Sequence, residues 1–246
     1  MQELTHLSLC SGIGGLDLAA EWAGFKTIAQ CEIDDYASKV LAKNFKGVPN
    51  LNDIRTVTAG RLTELGINPN AITVISAGFP CQPYSLAGKG KGDSDERDLW
   101  GEVARVIGEL RPKWFVGENT PGLFSRENQR YFRRVLDDLT ALGYSVGWGI
   151  WGACDVGAPH KRHRVFIVAY RNFPDARSGR YRVQTSQISA RWDGAIDGGW
   201  WETEPDVGRV AYGVSAQVDR LRCLGNAVVP YQALPIFEAI AEIEIA

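Results

Sequence analysis

The sequence predicts an α/β fold built on a parallel, doubly wound sheet, on three observations. Short apolar runs alternate with runs of helical period over the first two thirds of the 246 residues. A glycine-rich turn joins the first strand to the first helix. The motifs around Cys81 and Glu118 follow strands, at the end where open α/β sheets place their ligands.

Taken in order, His6–Cys10 reads as the first strand. The turn Ser11-Gly12-Ile13-Gly14-Gly15 follows, and Leu16, Ala19, Ala20 and Ala23 then recur at helical spacing up to a stop at Gly24. Thr27–Cys31 is the second strand and Asp34–Asn44 the second helix. The run Ala71–Ala77 (AITVISA) is a buried strand. Leu99–Leu110 and Gln129–Leu142 read as helices, with Trp114–Gly117 as a strand between them. Tyr144–Trp151 and Arg164–Ala169 are the last strands, and Tyr231–Ile245 is a C-terminal helix. The rhythm fails over residues 171–206, which are rich in Arg, Gly, Ser and Trp. The chain therefore divides into a main domain, 1–170 with 207–246, and an inserted loop or small subdomain, 171–206.

Composition narrows the function. With 45% hydrophobic and 23% charged residues, a chain of this length can bury a sizeable core without disulfides or metals. No run approaches the roughly 18 apolar residues of a membrane span. The first ten residues lack the basic start and apolar stretch of a signal peptide, so a cytosolic location is expected. The five cysteines are odd in number and form no CxxC pair, and the three histidines are scattered, so neither a disulfide framework nor a metal site is expected. A cysteine nucleophile remains open. The net charge of -2 argues against binding nucleic acid by bulk charge. Between His160 and Arg191, however, eight Lys and Arg face one Asp, a local +7. Such a window suits either a solvated loop or contact with phosphates.

Five motifs carry the chemistry. Gly12-Ile13-Gly14-Gly15 lets a ligand approach backbone at a helix start, and Glu32, at the end of the second strand, stands where an acid commonly takes ribose hydroxyls. Tight packing alone also explains the glycines. Gly78-Phe79-Pro80-Cys81-Gln82-Pro83-Tyr84-Ser85 ends the buried strand, with prolines on both sides of Cys81 stiffening the turn. The polar, glycine-rich segment after it suits a loop that closes over a substrate. Glu118-Asn119 follows the next strand, where a carboxylate serves as a cap or as a general acid/base. Lys161-Arg162-His163-Arg164 precedes a strand, and alternation puts Arg162 and Arg164 on one face. Gly225-Asn226-Ala227-Val228-Val229-Pro230 opens the last helix.

These blocks, in this order, resemble the DNA cytosine-5 methyltransferase family, and its short phage-borne members in particular. The resemblance covers residues 4–170 and about 205–240. It implies a Rossmann-like fold of the S-adenosylmethionine-dependent methyltransferase type, with S-adenosylmethionine as cofactor and double-stranded DNA as partner. It places the nucleophile at Cys81 and the acid at Glu118, with Arg162 and Arg164 holding the substrate. It places the cofactor at Gly12, Ile13, Gly14, Gly15, Glu32, Ile33, Asp53, Ile54, Pro80, Leu99 and Asn226. Gln82, Ser85 and Asn119 fall on the DNA side, and Arg177, Arg180 and Arg182 are read there from their charge. No metal is implied, and a monomer is expected. The chain departs from the family pattern at Cys10, where an aromatic is usual, and at Tyr84, Thr120 and His160. Only about 35 residues, 171–206, stand where the family carries its target-recognition region. The alternative reading is a catalytically inert relative that binds cofactor or DNA.

Overall fold

A computed structural model describes residues 3–80, 98–125, 128–171 and 217–245. Strand β1 (Thr5–Leu9) lies between β2 (Lys26–Cys31) and β3 (Val74–Ala77), and β4 (Trp114–Asn119) flanks β3. Every residue of β1, β3 and β4 is buried. Strands covered on both faces favour apolar residues at consecutive positions, as at Val74, Ile75 and Ala77, and the buried Ser76 among them is satisfied by His6 Nε2 at 2.8 Å. The full order is β2-β1-β3-β4-β6-β5, with β5 spanning Tyr144–Trp151 and β6 spanning Arg164–Arg171.

The first four strands are parallel, but β6 runs antiparallel to both β4 and β5. The expected parallel, doubly wound sheet is present among the described residues, with β6 as an antiparallel strand within it. The link from β5 to β6 holds only a 3₁₀ turn, Ala153–Val156. Without a crossover helix the chain returns alongside β5 in the opposite direction.

Helices sandwich the sheet. On one face α1 (Gly15–Trp22) and the C-terminal helix Pro230–Ile245 bring Leu16, Ala19, Ala20, Phe237 and Ile240 onto Val74, Val116 and Phe166. On the other face α3 (Ala59–Glu64), α4 (Trp100–Leu110) and α5 (Gln129–Ala141) bring Leu62, Val103, Ile107, Val135 and Leu139 onto Leu7, Leu9, Ile75, Phe115 and Ile167. Alternate residues of each strand supply the two layers. The remaining helices are α2 (Asp35–Asn44) and α6 (Gln217–Asn226), which makes the C-terminal helix α7.

The reading of individual elements holds to within a few residues. The strand read from Ala71 starts at Val74, because Pro69–Ala71 forms a 3₁₀ turn whose cap, Asn68 Oδ1, accepts from Asn70 N at 3.0 Å. Helices α3 and α6 go beyond the sequence reading. Among the described residues, no helix is long and apolar enough to cross a membrane, and no three His, Cys, Asp or Glu side chains are grouped to hold a metal ion.

Candidate active site

From β1 the chain winds outward to β2, then returns across β1 to β3 and β4. The reversal lies between β1 and β3, and the crevice beyond their C-terminal ends is where such sheets bind ligands. Two of the motifs meet there. The glycine turn leaves β1 with left-handed backbone at Cys10 (φ 49°), Gly12 (57°) and Gly14 (89°). A Cβ at Gly14 would strike the Phe45 ring, and one at Gly15 the carbonyl oxygen of Val228. The turn is therefore clamped between two segments. At Gly12 a Cβ would meet nothing within 4 Å, so that side of the turn is open.

Glu32 follows β2 and grips this turn. Its Oε2 accepts from Gly12 N and its Oε1 from Asp34 N, each at 2.8 Å. Asn50 holds the Glu32 backbone on both sides, at 3.0 Å each. Ile33 beside it is 67% exposed, an apolar side chain presented at the crevice edge. Asp34 caps α2 through Tyr36 N and Ala37 N, and its Oδ2 pairs with Arg222 of α6 at 2.5 Å. Asp53 caps a 3₁₀ turn by accepting from Arg55 N at 3.0 Å, and Ile54 is buried in the core. Leu99 stands at the N-terminal boundary of α4, half-buried, and Asn226 is exposed at the end of α6. Cys10 is half-buried; burial and the neighbouring Glu32 charge push its thiol up to about 12, so it serves as a small neutral side chain.

The second cluster gathers at the ends of β3, β4 and β6. Asn119 Nδ2 donates to Phe79 O at 2.9 Å, and Tyr131 Oη lies 3.5 Å from Pro80 O, so both bonds fix the chain just before position 81. Glu118 sits opposite Phe166 in the β4–β6 ladder, and Arg164 is two residues along, a diagonal neighbour on the same face. Its Nε reaches Glu118 Oε1 at 2.9 Å. Glu118 is only 7% exposed, and burial pushes its carboxyl up to about 7, against the opposing pull of Arg164 and Arg162. A Cβ at Gly78 would lie 3.5 Å from Glu118 Oε2, so the strand leading to Cys81 passes close to this carboxyl. Cys81, Gln82 and Ser85 lie outside the described residues, as do Arg177, Arg180 and Arg182.

Arg162 precedes β6 and has left-handed backbone (φ 32°), so strand alternation does not govern it. Its Nη2 donates to the carbonyls of Leu224 (3.4 Å), Gly225 (2.7 Å) and Ala227. Sequence reasoning missed Gln232, whose Nε2 donates to Trp151 O and Arg162 O at 3.0 Å each. It also missed Asp17, fully buried in α1, which accepts from Ser8 Oγ at 2.9 Å and Gln30 Nε2 at 2.8 Å. Burial pushes that carboxyl up to about 6. A buried Gln or Asp next to apolar positions is the available signal; its partners, on distant strands, are not.

Comparison with known proteins identifies the family. The family model for C-5 cytosine-specific DNA methylase matches residues 4–192. Type II methyltransferase M.NgoBI of Neisseria gonorrhoeae is 38% identical over 168 residues, covering 67% of this chain and 50% of the relative. Type II methyltransferase M.BsuFI of Bacillus subtilis is 37% identical over 172 residues, covering 68% and 39%. A prophage-encoded E. coli protein, assigned as a DNA modification methyltransferase, superposes with a TM-score of 0.60 at 29% identity, over 69% of this chain and 47% of that one. A Spodoptera frugiperda DNMT2 variant gives 0.57 at 26%, over 70% and 51%. The chain spans about half, or less, of the length of these relatives. With the matched segment running from β1 past Arg164, this chain belongs to the C-5 cytosine-specific DNA methylase family.

Proposed function

We propose that this chain methylates C5 of cytosine in duplex DNA, with Cys81 adding to C6 of a base turned out of the helix. The observation that carries the reading is Glu118. A carboxyl held near pKa 7, buried at the end of β4 and beside the strand leading to the cysteine, suits a proton donor at neutral pH.

The family's cofactor is S-adenosylmethionine, and the crevice between β1 and β3 fits it. The open face at Gly12 admits a ligand against backbone, and exposed Ile33 offers an apolar surface for an adenine ring. Glu32 already accepts two N–H bonds, and a carboxylate has lone pairs left for ribose hydroxyls. When bound, S-adenosylmethionine supplies the methyl group from a positively charged sulfur.

The chain's own residues do the rest. The Cys81 thiolate forms a bond to C6, and the electron pair displaced from the ring is met by the Glu118 proton at N3. That makes C5 nucleophilic. Arg164 holds Glu118 in place, and with Arg162 it lends a positive field to a site that must accommodate a thiolate. Once C5 carries the methyl group, loss of the C5 proton to a base re-forms the C5–C6 double bond and expels the Cys81 thiolate, and N3 returns its proton to Glu118. Asn119 fixes the Phe79 carbonyl and so the approach to Cys81. C5 is out of reach in a stacked duplex, so the base is flipped. Residues 171–206 form a reduced target-recognition region.

The test is Cys81→Ser, with bisulfite sequencing of DNA from expressing cells and a duplex carrying 5-fluorocytosine. The wild-type chain should methylate and should form a covalent adduct with the fluorinated duplex, while the variant does neither. An intact adduct in the variant removes Cys81 from the mechanism. The short region at 171–206 supports, as a second reading, an inert binder. Cofactor binding without methylation or adduct by the wild-type chain selects it.

A further inference from the structure

We infer that Arg162 is a positioning residue for the cofactor side of the site, acting through the carbonyls of residues 224–227 rather than on the substrate base; the inference rests on the methyltransferase reading above. The argument begins at the last turn of α6, whose carbonyls have no intrahelical partner. Arg162 Nη2 supplies donors to two of them, Leu224 O and Gly225 O, and to Ala227 O just beyond. A cation at a helix C-terminus is also favoured by the helix dipole.

What lies on either side of these carbonyls gives the contact its meaning. One residue further on, the Val228 carbonyl oxygen abuts Gly15 so closely that a Cβ there would collide with it. Within α6, Arg222 pairs with Asp34 at 2.5 Å, and Asp34 N donates to Glu32 at 2.8 Å. The segment that Arg162 caps is thus joined to the cofactor crevice at two places, the glycine turn and the Glu32–Asp34 corner.

Arg162 is itself held for this task. Its left-handed backbone is unusual for a side chain with a Cβ. Gln232 of α7, only 1% exposed, secures it by donating to the Arg162 and Trp151 carbonyls. The residue is half-buried, and its Nε is buried with no hydrogen-bond partner among the described residues. Arg164, two residues on, is instead engaged with Glu118. The two arginines of the motif divide the work: Arg164 orients the acid, and Arg162 braces the wall of the cofactor crevice.

The test compares wild type with Arg162→Ala, Arg162→Gln and Arg162→Lys by calorimetry with S-adenosylmethionine and with S-adenosylhomocysteine, in the absence of DNA. Wild type is titrated first; if it binds neither, the methyltransferase reading fails, and this inference with it. Removal of a charged donor to several carbonyls should weaken the cofactor at least about tenfold in the alanine variant. The lysine variant, which keeps a cationic donor, should stay within about threefold of wild type, with glutamine between them. Amide hydrogen exchange should quicken at residues 12–15 and 224–229 in the alanine variant, and affinity for duplex DNA should stay within about twofold. Should the alanine variant not fold, the glutamine variant carries the test. Wild-type cofactor affinity in Arg162→Ala or Arg162→Gln, with loss of DNA affinity or turnover only, overturns the inference and returns Arg162 to the substrate.

Discussion

Replacing Glu118 by Gln should change how stability depends on pH, and the sign follows from the structure. In the folded chain the carboxyl titrates near 7, against an ordinary 4.5. Below 4.5 it is protonated in both states, and the pKa difference contributes nothing to folding. Between 4.5 and 7 the unfolded chain gives up the proton while the folded chain keeps it, so each pH unit costs the native state about 1.4 kcal/mol. Above 7 both are ionised and the gap stays constant, at about 3 kcal/mol. Glutamine has no such dependence. The stability of Glu118→Gln minus that of wild type should therefore rise by about 3 kcal/mol from pH 4.5 to 7.5. Other titrating groups are common to both proteins and cancel. The pairing with Arg164 follows the carboxyl's own charge, and its pull is already contained in the folded value near 7, so it is not counted again. The assay is urea unfolding followed by tryptophan fluorescence at closely spaced pH values. Parallel stability curves for the two proteins would refute a carboxyl kept protonated near neutrality, and with it the role of Glu118 as proton donor.

The remaining predictions concern other parts of the molecule. Glu32→Ala should weaken S-adenosylmethionine by about 1.5–3 kcal/mol with little effect on DNA, by calorimetry; unchanged affinity places the cofactor elsewhere. Gly15→Ala, whose Cβ meets the Val228 carbonyl oxygen, should cost about 1–3 kcal/mol of stability in denaturant melts and should weaken the cofactor as well. His6, fully buried between Thr27 and Ser76, is pushed down to about 3 by burial, so its contribution is present above 6.5 and is lost as pH falls. His6→Gln should therefore gain on wild type by about 2 kcal/mol between pH 6.5 and 5, opposite in direction to Glu118→Gln. Replacing Arg177, Arg180 and Arg182 together by alanine should lower DNA affinity and flatten its salt dependence by up to about one unit per arginine, leaving cofactor affinity alone. No change in either would reduce that segment to a plain loop.

What the sequence disclosed was decided by local chemistry. A glycine turn after an apolar run, or Asp34 ahead of a helical period, announces itself within a few residues. So the bounds of β5 agree with the structure, and those of α2 and α4 differ by one residue at the start. Contacts made by backbone at long range leave no such mark. Nothing near Gln232 indicates that its amide reaches carbonyls at 151 and 162. Nothing near Arg162 indicates that carbonyls more than 60 residues away, rather than strand alternation, fix its side chain. The buried Asp17 likewise depends on Ser8 and Gln30 being brought together by β1 and β2.

The direction of β6 shows how fold and site bear on each other. Glu118 lies near the C-terminal end of β4, and Arg164 opens β6. In a parallel pairing the start of β6 would sit beside the start of β4, and the two side chains would be separated by the length of a strand. At about 3.3 Å per residue that is on the order of 15–20 Å. The observed ladder instead pairs Glu118 with Phe166 and brings Arg164 within 2.9 Å of the carboxyl. The Glu118–Arg164 pair therefore depends on an antiparallel strand within the doubly wound sheet, a detail that βα alternation does not announce. The alternation rule applies where a helix carries the chain back across the sheet, as it does up to β4 and not between β5 and β6. It is at this one break in the parallel order that the buried acid acquires its arginine.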